Sequence, residues 1–302
     1  MNKLKELSKF LICTDCRSNL KYLKKTIHCQ TCGRKFRIKN GIINLLPKHF
    51  AYKNPYEWVR IKKDDDHYTL DTIEKIFETF RDKHEEKNDM LELVSKYDMN
   101  IFGNVLCLGA GICVLPISVK MLFPPSKLFV VDIAQNILEI GKKLSELFEV
   151  SPKFFINASV ESLPFKKNTF DFVISSSLLH HTDIDVSFEN IYRVLKRGGL
   201  YITLQEPTCA DITKRFYKFY FKTGFEKSKK AGVKRDVFSP KRIFGSLKQA
   251  GFKNIIIEKY KNPRYISKGV FTYYAYYSFL KIIPFLIVRN FFPSKVRIIA
   301  KK

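Results

Sequence analysis

Acidic residues are scarce in this chain of 302 residues, where 29 Asp and Glu stand against 54 Lys and Arg and leave a formal net charge of +25. Glycine and proline are also few, at 13 and 12 residues, which excludes collagen-like repeats. The charged start, Met1–Glu6, lacks the apolar core of a signal peptide. Hydrophobic residues make up 45% and charged residues 27% of the chain, proportions that predict a globular protein rather than a disordered one.

The basic surplus has two explanations, and the sequence leaves both open. A polyanionic partner, either nucleic acid or an anionic membrane surface, would favour such a charge. Lysine outnumbers arginine by 41 to 13, however, as coding in an AT-rich genome would also produce.

Seven cysteines are too few for a disulfide scaffold in a chain of this length, so a cytoplasmic location is expected. Four of them form two CxxC pairs, Cys13/Cys16 and Cys29/Cys32, with 12 residues between the pairs. Two such pairs can place four thiolates at the corners of a tetrahedron, the ligand set of a closed structural zinc site. A ribbon of ~45 residues buries little surface, so metal would supply its stability.

The stretch from Phe10 to Pro47, which contains both pairs, also resembles a known family. It is similar to the small zinc domains related to the activator subunit of tRNA and protein methyltransferases. Similar domains are fused to the front of bacterial and archaeal methyltransferases. The resemblance implies that the ribbon can contact protein.

Three segments are predicted: a zinc ribbon at 1–50, a helical linker or cap at 51–100, and a larger domain at 101–302. Apolar residues recur at helical intervals from Leu70 to Tyr97, which predicts the cap helices. The larger domain opens with a buried strand that runs into a glycine turn at Asn104–Gly111.

The glycine turn predicts a ligand site. Gly109, Ala110 and Gly111 allow the backbone to approach a ligand closely, at the start of a helix that favours a negative group. Twenty-one residues after Gly111, the next strand ends in Asp132, which is placed to accept hydrogen bonds from both ribose hydroxyls of a nucleoside. A dinucleotide site would require glycine or alanine where Val114 stands. S-adenosylmethionine has no phosphate to seat on the turn, so the pattern favours this methyl donor.

Four motifs between Val105 and Leu204 follow one another at family-typical intervals. After the glycine turn and Asp132 come Val160–Phe165, Asn168–Ser175 and Arg193–Ile202. The succession resembles the small-molecule branch of the class I S-adenosylmethionine-dependent methyltransferases. This family implies an α/β fold, a Rossmann-like, mostly parallel sheet of seven strands with helices on both faces.

The resemblance assigns site residues one by one. The residues expected around the methyl donor are Gly109, Ala110, Gly111, Asp132, Ile133, Ser159, Val160, Ser175 and Ser176. Three positions depart from the family pattern. Cys107 replaces the acid of the first strand, Cys113 the third glycine, and Ser159 an aspartate beside adenine, so a weaker or altered cofactor site is an expectation too.

Candidate catalytic residues follow the fourth and fifth predicted strands. His180 and His181 lie in the loop that faces the acceptor, where an imidazole can remove a proton from a hydroxyl. His181 matches the family's usual histidine, and holding the loop is its alternative role. Glu206, after the fifth strand, is a second candidate because a carboxylate at that edge points into the crevice.

The C-terminal third contains two unusual segments. Residues 211–242 are basic with interleaved aromatic residues, which suits RNA or an anionic membrane surface. Residues 261–293, between the predicted sixth and seventh strands, form an aromatic insertion whose longest uncharged stretch is shorter than the ~20 residues of a membrane span. This insertion predicts either peripheral membrane association, an acceptor-pocket cap or a dimer contact.

Taken together, these patterns predict a zinc ribbon followed by an S-adenosylmethionine-dependent methyltransferase. A small-molecule, glycan or lipid-linked acceptor is favoured because of the aromatic insertion. An RNA methyltransferase and a catalytically inactive scaffold that uses the ribbon for protein contact are the alternatives.

Overall fold

The computed structural model describes residues 3–23, 26–48, 50, 85–124, 126–150, 152–211, 214, 236–260 and 294–302. Its strands are Leu20–Leu23 (β1), Thr26–Cys29 (β2), Lys35–Phe36 (β3), Ile38–Lys39 (β4), Ile42–Asn44 (β5), Asn104–Leu108 (β6), Lys127–Asp132 (β7), Phe154–Asn157 (β8), Phe170–Ser176 (β9), Leu195–Thr208 (β10), Lys253–Tyr260 (β11) and Ser294–Lys301 (β12). Its α-helices are Lys3–Ser8 (α1), Glu85–Lys96 (α2), Val114–Leu122 (α3), Gln135–Leu147 (α4), Ile184–Val194 (α5) and Pro240–Gln249 (α6).

Seven strands from the larger domain form the predicted mostly parallel sheet, in the order β11-β12-β10-β9-β6-β7-β8. β10, β9, β6, β7 and β8 run parallel to one another, and β12 is antiparallel to both of its neighbours. The chain moves outward from β6 to β8, returns to β9 beside β6, and then moves outward in the other direction. The gap between β6 and β9 is therefore a topological switch point, where open α/β sheets bind their ligands.

Two strands from the N-terminal segment extend this sheet to nine strands. β5 pairs in parallel with β8 through Ile43 opposite Ile156, and β4 pairs with β5 at the outer edge. The sequence did not predict that strands of the N-terminal segment would join the larger sheet. β1, β2 and β3 form a separate antiparallel sheet, in which Cys29 ends β2 and Cys32 lies between β2 and β3.

Hydrophobic side chains fill both faces of the large sheet because its central strands alternate between two buried clusters. Leu106 and Leu108 belong to one cluster, whereas Val105 and Cys107 belong to the other. The first cluster also includes Leu11, Ile27 and Phe36 and other apolar residues of the N-terminal segment. Residues 3–48 therefore share a core with the larger domain, and the burial that they lack alone is supplied by this contact.

Local signals in the sequence explain where the helices beside the site begin. The Asp183 side chain accepts hydrogen bonds from the first turn of α5, and Ser239 does the same for α6, where Pro240 follows. Residues 51–84, 261–293 and most of 211–235 lie outside the described residues, so the cap before α2, the basic segment and the aromatic insertion stay predictions. Among the helices that the structure describes, none has the length and apolar character needed to cross a bilayer.

Candidate functional site

The glycine turn lies at the switch point between β6 and β9. Gly109 and Gly111 both have left-handed backbones, with φ of 60° and 52°. A Cβ built on Gly109 would lie 2.7 Å from Leu178 Cδ1, in the loop after β9, whereas one built on Gly111 would meet no atom within 4 Å. Gly109 is thus required by packing, and Gly111 leaves open space beside the backbone that a ligand can approach.

Asp132 connects this turn to the end of β7. Its Oδ2 accepts a hydrogen bond from the Gly111 amide at 2.8 Å, and its Oδ1 accepts one from the Ala134 amide at 2.9 Å. Burial raises the pKa of the Asp132 carboxyl, while the amide donors act in the opposite direction. Each carboxylate oxygen keeps a second acceptor site, so the group can still accept ribose hydroxyls.

Asn157 is a positioning residue that the sequence reasoning missed. Its Nδ2 donates to the carbonyl oxygens of Asp132 and Ile133 at 3.0 and 2.7 Å, which fixes the turn after β7. A polar residue at the end of the otherwise apolar strand β8 was the available signal.

The expected adenine side of the site is formed by Ser159 and Val160, near the expected cofactor residue Ile133. Ile133 is half-buried and follows Asp132 directly, while Val160 is buried. The Ser159 hydroxyl accepts a hydrogen bond from the Glu161 amide at 3.2 Å and caps the short 3₁₀ turn Val160–Ser162. The Ser159 oxygen is therefore used as an acceptor within its own loop, and its hydroxyl proton can still donate a hydrogen bond to a ligand.

Ser175 and Ser176 point to opposite faces of β9. The Ser175 hydroxyl is fully buried and bonds to the hydroxyls of Tyr201 and Thr203 at 3.0 and 2.9 Å. The Ser175 hydroxyl is therefore engaged with the neighbouring strand, and the expectation that Ser175 lies beside the methyl donor stays a prediction. The Ser176 hydroxyl is also buried and has no hydrogen-bond partner among the described residues.

The loop after β9 is held by Glu206. Glu206 Oε2 accepts a hydrogen bond from the Leu179 amide at 3.0 Å, and its Oε1 accepts one from the His180 amide at 2.9 Å. His180 Nδ1 also lies 3.0 Å from Oε1, and the rings of His180 and His181 stack with centroids 4.0 Å apart. The structure thus brings both predicted histidines and Glu206 together.

Glu206 does not have the exposed orientation that the sequence predicted. Its side chain has no exposed surface, because its carboxylate lies beneath the loop that it holds. Glu206 is thus not a group that meets an acceptor in the crevice. His180 keeps 11% of its side chain exposed, and His181 is half-buried.

The two cysteines that depart from the family pattern are packing residues. Cys107 and Cys113 are fully buried, and burial raises the pKa of both thiols. Cys113 has a left-handed backbone with φ of 66°, and its side chain occupies the space above Gly141, where a built Cβ would lie 2.4 Å from the sulfur. The cysteine at the third position of the turn is therefore accommodated by a glycine in α4.

The four cysteines of the ribbon lie together, as their spacing predicted. All four Sγ atoms lie within 4.8 Å of one another, with Cys13 and Cys32 3.7 Å apart and Cys16 and Cys29 3.3 Å apart. These separations fit a single tetrahedral ion with thiolate bonds of ~2.3 Å. Burial raises the pKa of the Cys13 thiol to about 12, so its thiolate requires a cation beside it.

A recess of about 610 Å³ borders the histidine loop at Thr182, between the first turns of α5 and α6. Its charged lining groups are largely paired, as Asp185 is with Arg242 and Lys214 with Asp236. The recess therefore provides space beside the loop without an evident charged centre.

Part of the chain is similar in sequence to known proteins. Residues 106–203 match a family model described as a methyltransferase domain. A ubiquinone/menaquinone biosynthesis C-methyltransferase of Pasteurella multocida is 35% identical over 104 residues, which cover 33% of this chain and 39% of the relative. A demethylmenaquinone methyltransferase of Staphylococcus aureus is 32% identical over 120 residues, which cover 39% of this chain and 48% of the relative. The chain thus spans less than half the length of these curated relatives.

Solved structures extend the likeness to the fold. A phosphoethanolamine N-methyltransferase of Haemonchus contortus superposes with a TM-score of 0.55 at 19% identity, over 79% of this chain and 59% of that one. A geranyl diphosphate methyltransferase in complex with S-adenosylmethionine superposes with a TM-score of 0.56 at 14% identity, over 72% of this chain and 85% of that one. Residues 106–203 thus match a methyltransferase domain, and the chain shares the Rossmann-like fold of these solved methyltransferases.

Proposed function

We propose that this protein is an S-adenosylmethionine-dependent methyltransferase whose acceptor is a small molecule, a glycan or a lipid-linked compound. The observation that carries the proposal is the hydrogen bond of 2.8 Å from the Gly111 amide to Asp132, which joins the turn after β6 to the end of β7 beside the switch point. It places a carboxylate beside an open stretch of backbone at the edge of the sheet where α/β proteins bind nucleosides.

Each site residue receives a role from its position. The backbone at Gly109–Gly111 borders the methionine end of the donor, and Gly111 supplies the open space. Asp132 accepts the ribose hydroxyls, and Ile133 and Val160 frame the adenine. When bound, the sulfonium supplies an activated methyl group, which transfers by in-line displacement once the acceptor atom is held ~3–3.5 Å away.

The acceptor proposal draws support from the relatives. The named relatives are a ubiquinone/menaquinone biosynthesis C-methyltransferase and a demethylmenaquinone methyltransferase, and the methyltransferase family model matches residues 106–203. A recess beside Thr182 provides room for an acceptor next to the histidine loop. A hydroxyl or ring-carbon acceptor must lose a proton, and His180 and His181, in the loop that precedes Thr182, are the proposed bases.

We also propose a structural zinc ion held by Cys13, Cys16, Cys29 and Cys32. The four sulfur atoms supply a complete set of thiolate ligands, which leaves no open position for chemistry.

Titration calorimetry with S-adenosylhomocysteine tests the donor site. We expect saturable binding that the Asp132→Asn variant weakens, whereas Asp185→Asn, which changes a surface ion pair with Arg242, leaves it unchanged. No binding by the wild-type protein would favour the scaffold alternative. Transfer of a labelled methyl group into fractionated cell extract then identifies the acceptor. Label in small molecules, glycans or lipids would support the proposal, and label in RNA would favour the RNA alternative.

A further inference from the structure

Glu206 is a fully buried carboxylate that accepts three hydrogen bonds from one loop. The donors are the amides of Leu179 and His180 and the ring atom Nδ1 of His180, all within 3.0 Å. A carboxylate accepts hydrogen bonds and cannot donate them, so His180 Nδ1 must carry the proton in this contact.

A β-bulge in β10 explains how Glu206 reaches this loop. Thr203 pairs with Ile298 and Glu206 with Val296, so three steps along β10 match two steps along β12. Gln205, in the bulge, has a left-handed backbone with φ of 56°. The extra residue reverses the alternation of the strand and turns Glu206 to the face of Tyr201 and Thr203, which lies under the histidine loop.

We propose that Glu206 is a positioning residue that holds His180 in the Nδ1–H tautomer, so that Nε2 presents its lone pair to the acceptor. Among the described residues, Glu206 is the only hydrogen-bond partner of the imidazole, and 11% of the His180 side chain is exposed. With Nδ1 occupied by Glu206, Nε2 is the ring nitrogen that can face the crevice. Leu178, in the same loop, packs against the glycine turn, so the anchored loop also sets the distance between His180 and the donor site.

This inference rests on the proposed function and specifies its acceptor class. The proton leaves the acceptor atom for His180 Nε2, and the electron pair that remains forms the new bond to the methyl group. The carbon–sulfur bond breaks with its pair going to sulfur, so the positive charge passes from the sulfonium to an imidazolium beside Glu206. The acceptor is therefore a compound whose methylated atom gives up a proton, such as a phenol, an enol or the ring carbon that such a group activates.

Nitrogen-15 NMR of the imidazole rings tests the tautomer in the unliganded protein, at a pH where the rings are neutral. The His180→Gln variant assigns the His180 signals by their loss. We expect the wild-type protein to show a proton on Nδ1 and none on Nε2. In Glu206→Gln, an amide that can also donate replaces the carboxylate, so we expect the Nε2–H tautomer to increase at least about tenfold.

Glu161→Gln is the matched control, because Glu161 Oε1 accepts the Asp183 amide just beyond the same loop without touching His180. The control should leave the tautomer unchanged. We expect Glu206→Gln to bind S-adenosylhomocysteine within about threefold of the wild type, while methyl transfer slows roughly 10–100-fold.

An Nε2–H tautomer in the wild-type protein would overturn the inference, as would an unchanged tautomer in folded Glu206→Gln. If that variant does not fold, the wild-type spectrum alone decides. Failure of the proposed function would be distinct, because it would appear as absent S-adenosylhomocysteine binding in the wild-type protein, whatever the tautomer.

Discussion

Ile43 of the N-terminal segment pairs in parallel with Ile156 of the larger sheet. Through this pairing, strands of the N-terminal segment form one edge of the larger sheet, so the segment is not a separate domain joined only by a linker. Further contacts reinforce the junction: the Ile12 amide donates to the Pro164 carbonyl at 2.8 Å, and the rings of Phe10 and Phe129 pack edge to face with centroids 5.2 Å apart. The same junction touches the segment that follows the expected adenine loop.

Metal removal should therefore destabilise the whole described fold. We expect one zinc ion per protein by elemental analysis, and chelation or Cys29→Ser should lower the melting temperature by ~10 °C or more. Because the ribbon and the larger domain share a core, the loss should occur in a single unfolding transition. A separate early transition, with the main transition unmoved, would show that the ribbon unfolds independently. Cys209→Ser, outside the cluster, is the control.

Alanine substitutions at the two glycines of the turn should have different effects on protein stability and on ligand binding. Both have positive φ, so each alanine costs ~1–2 kcal/mol of stability from backbone strain. Gly109→Ala should lose a further ~1–2 kcal/mol because its methyl would press on Leu178. Gly111→Ala should instead weaken the binding of S-adenosylhomocysteine at least about tenfold, since the alanine methyl group would enter the open space that the ligand needs. Chemical denaturation and calorimetry separate the two effects, and equal stabilities for the two variants would contradict the Leu178 contact.

Binding of the methyl donor should weaken in acid because of Asp132. Burial raises the pKa of this carboxyl, so on acidification it takes up a proton at a higher pH than an exposed aspartate does. The affinity for S-adenosylhomocysteine should be highest at pH values above that pKa, where Asp132 is ionised, and should fall as the pH drops through it. Asp132→Asn should bind about 10–100-fold more weakly, without this pH dependence. A wild-type affinity that stays constant down to the pH range of exposed aspartates would refute the assignment.

Arg297 should anchor α2 to the sheet. It is 3% exposed and donates to Asp89 and Glu92 of α2 at 3.0 and 2.6 Å, while Asp89 also accepts a hydrogen bond from Gln205. Arg297→Met leaves Asp89 without this cation and should cost about 3–5 kcal/mol of unfolding free energy. The control Glu92→Gln alters a side chain that is 65% exposed and should cost less than ~1 kcal/mol. Equal losses in the two variants would contradict the anchoring role.

Much of the site was predictable because its signals are local in sequence. The CxxC spacing predicted the sulfur cluster, and the glycine turn followed by Asp132 predicted two neighbouring strand ends that meet at one edge of the sheet. Asp183 and Ser239 cap helices through contacts that are equally local, since a cap contacts residues only two or three positions away.

The orientation of Glu206 and Ser175 was not predictable in this way. Sequence position placed Glu206 at the carboxyl end of β10, and strand alternation alone would put it on the face opposite to Tyr201 and Thr203. The bulge at Gln205 decides that face, and its cause is the pairing of β10 with β12, nearly a hundred residues later in the chain. Ser175 likewise turns inward because Tyr201 and Thr203 of the neighbouring strand offer it hydrogen bonds.

The sequence by itself determined the composition of the site: its turn, its acid, its histidines and its thiol ligands, all of which depend on spacing along the chain. Only the tertiary structure decided that the ribbon completes the sheet beside β8 and that Glu206 holds His180. Both relationships join residues far apart in sequence, and strand pairing and side-chain burial, which fix them, exist only after the chain has folded.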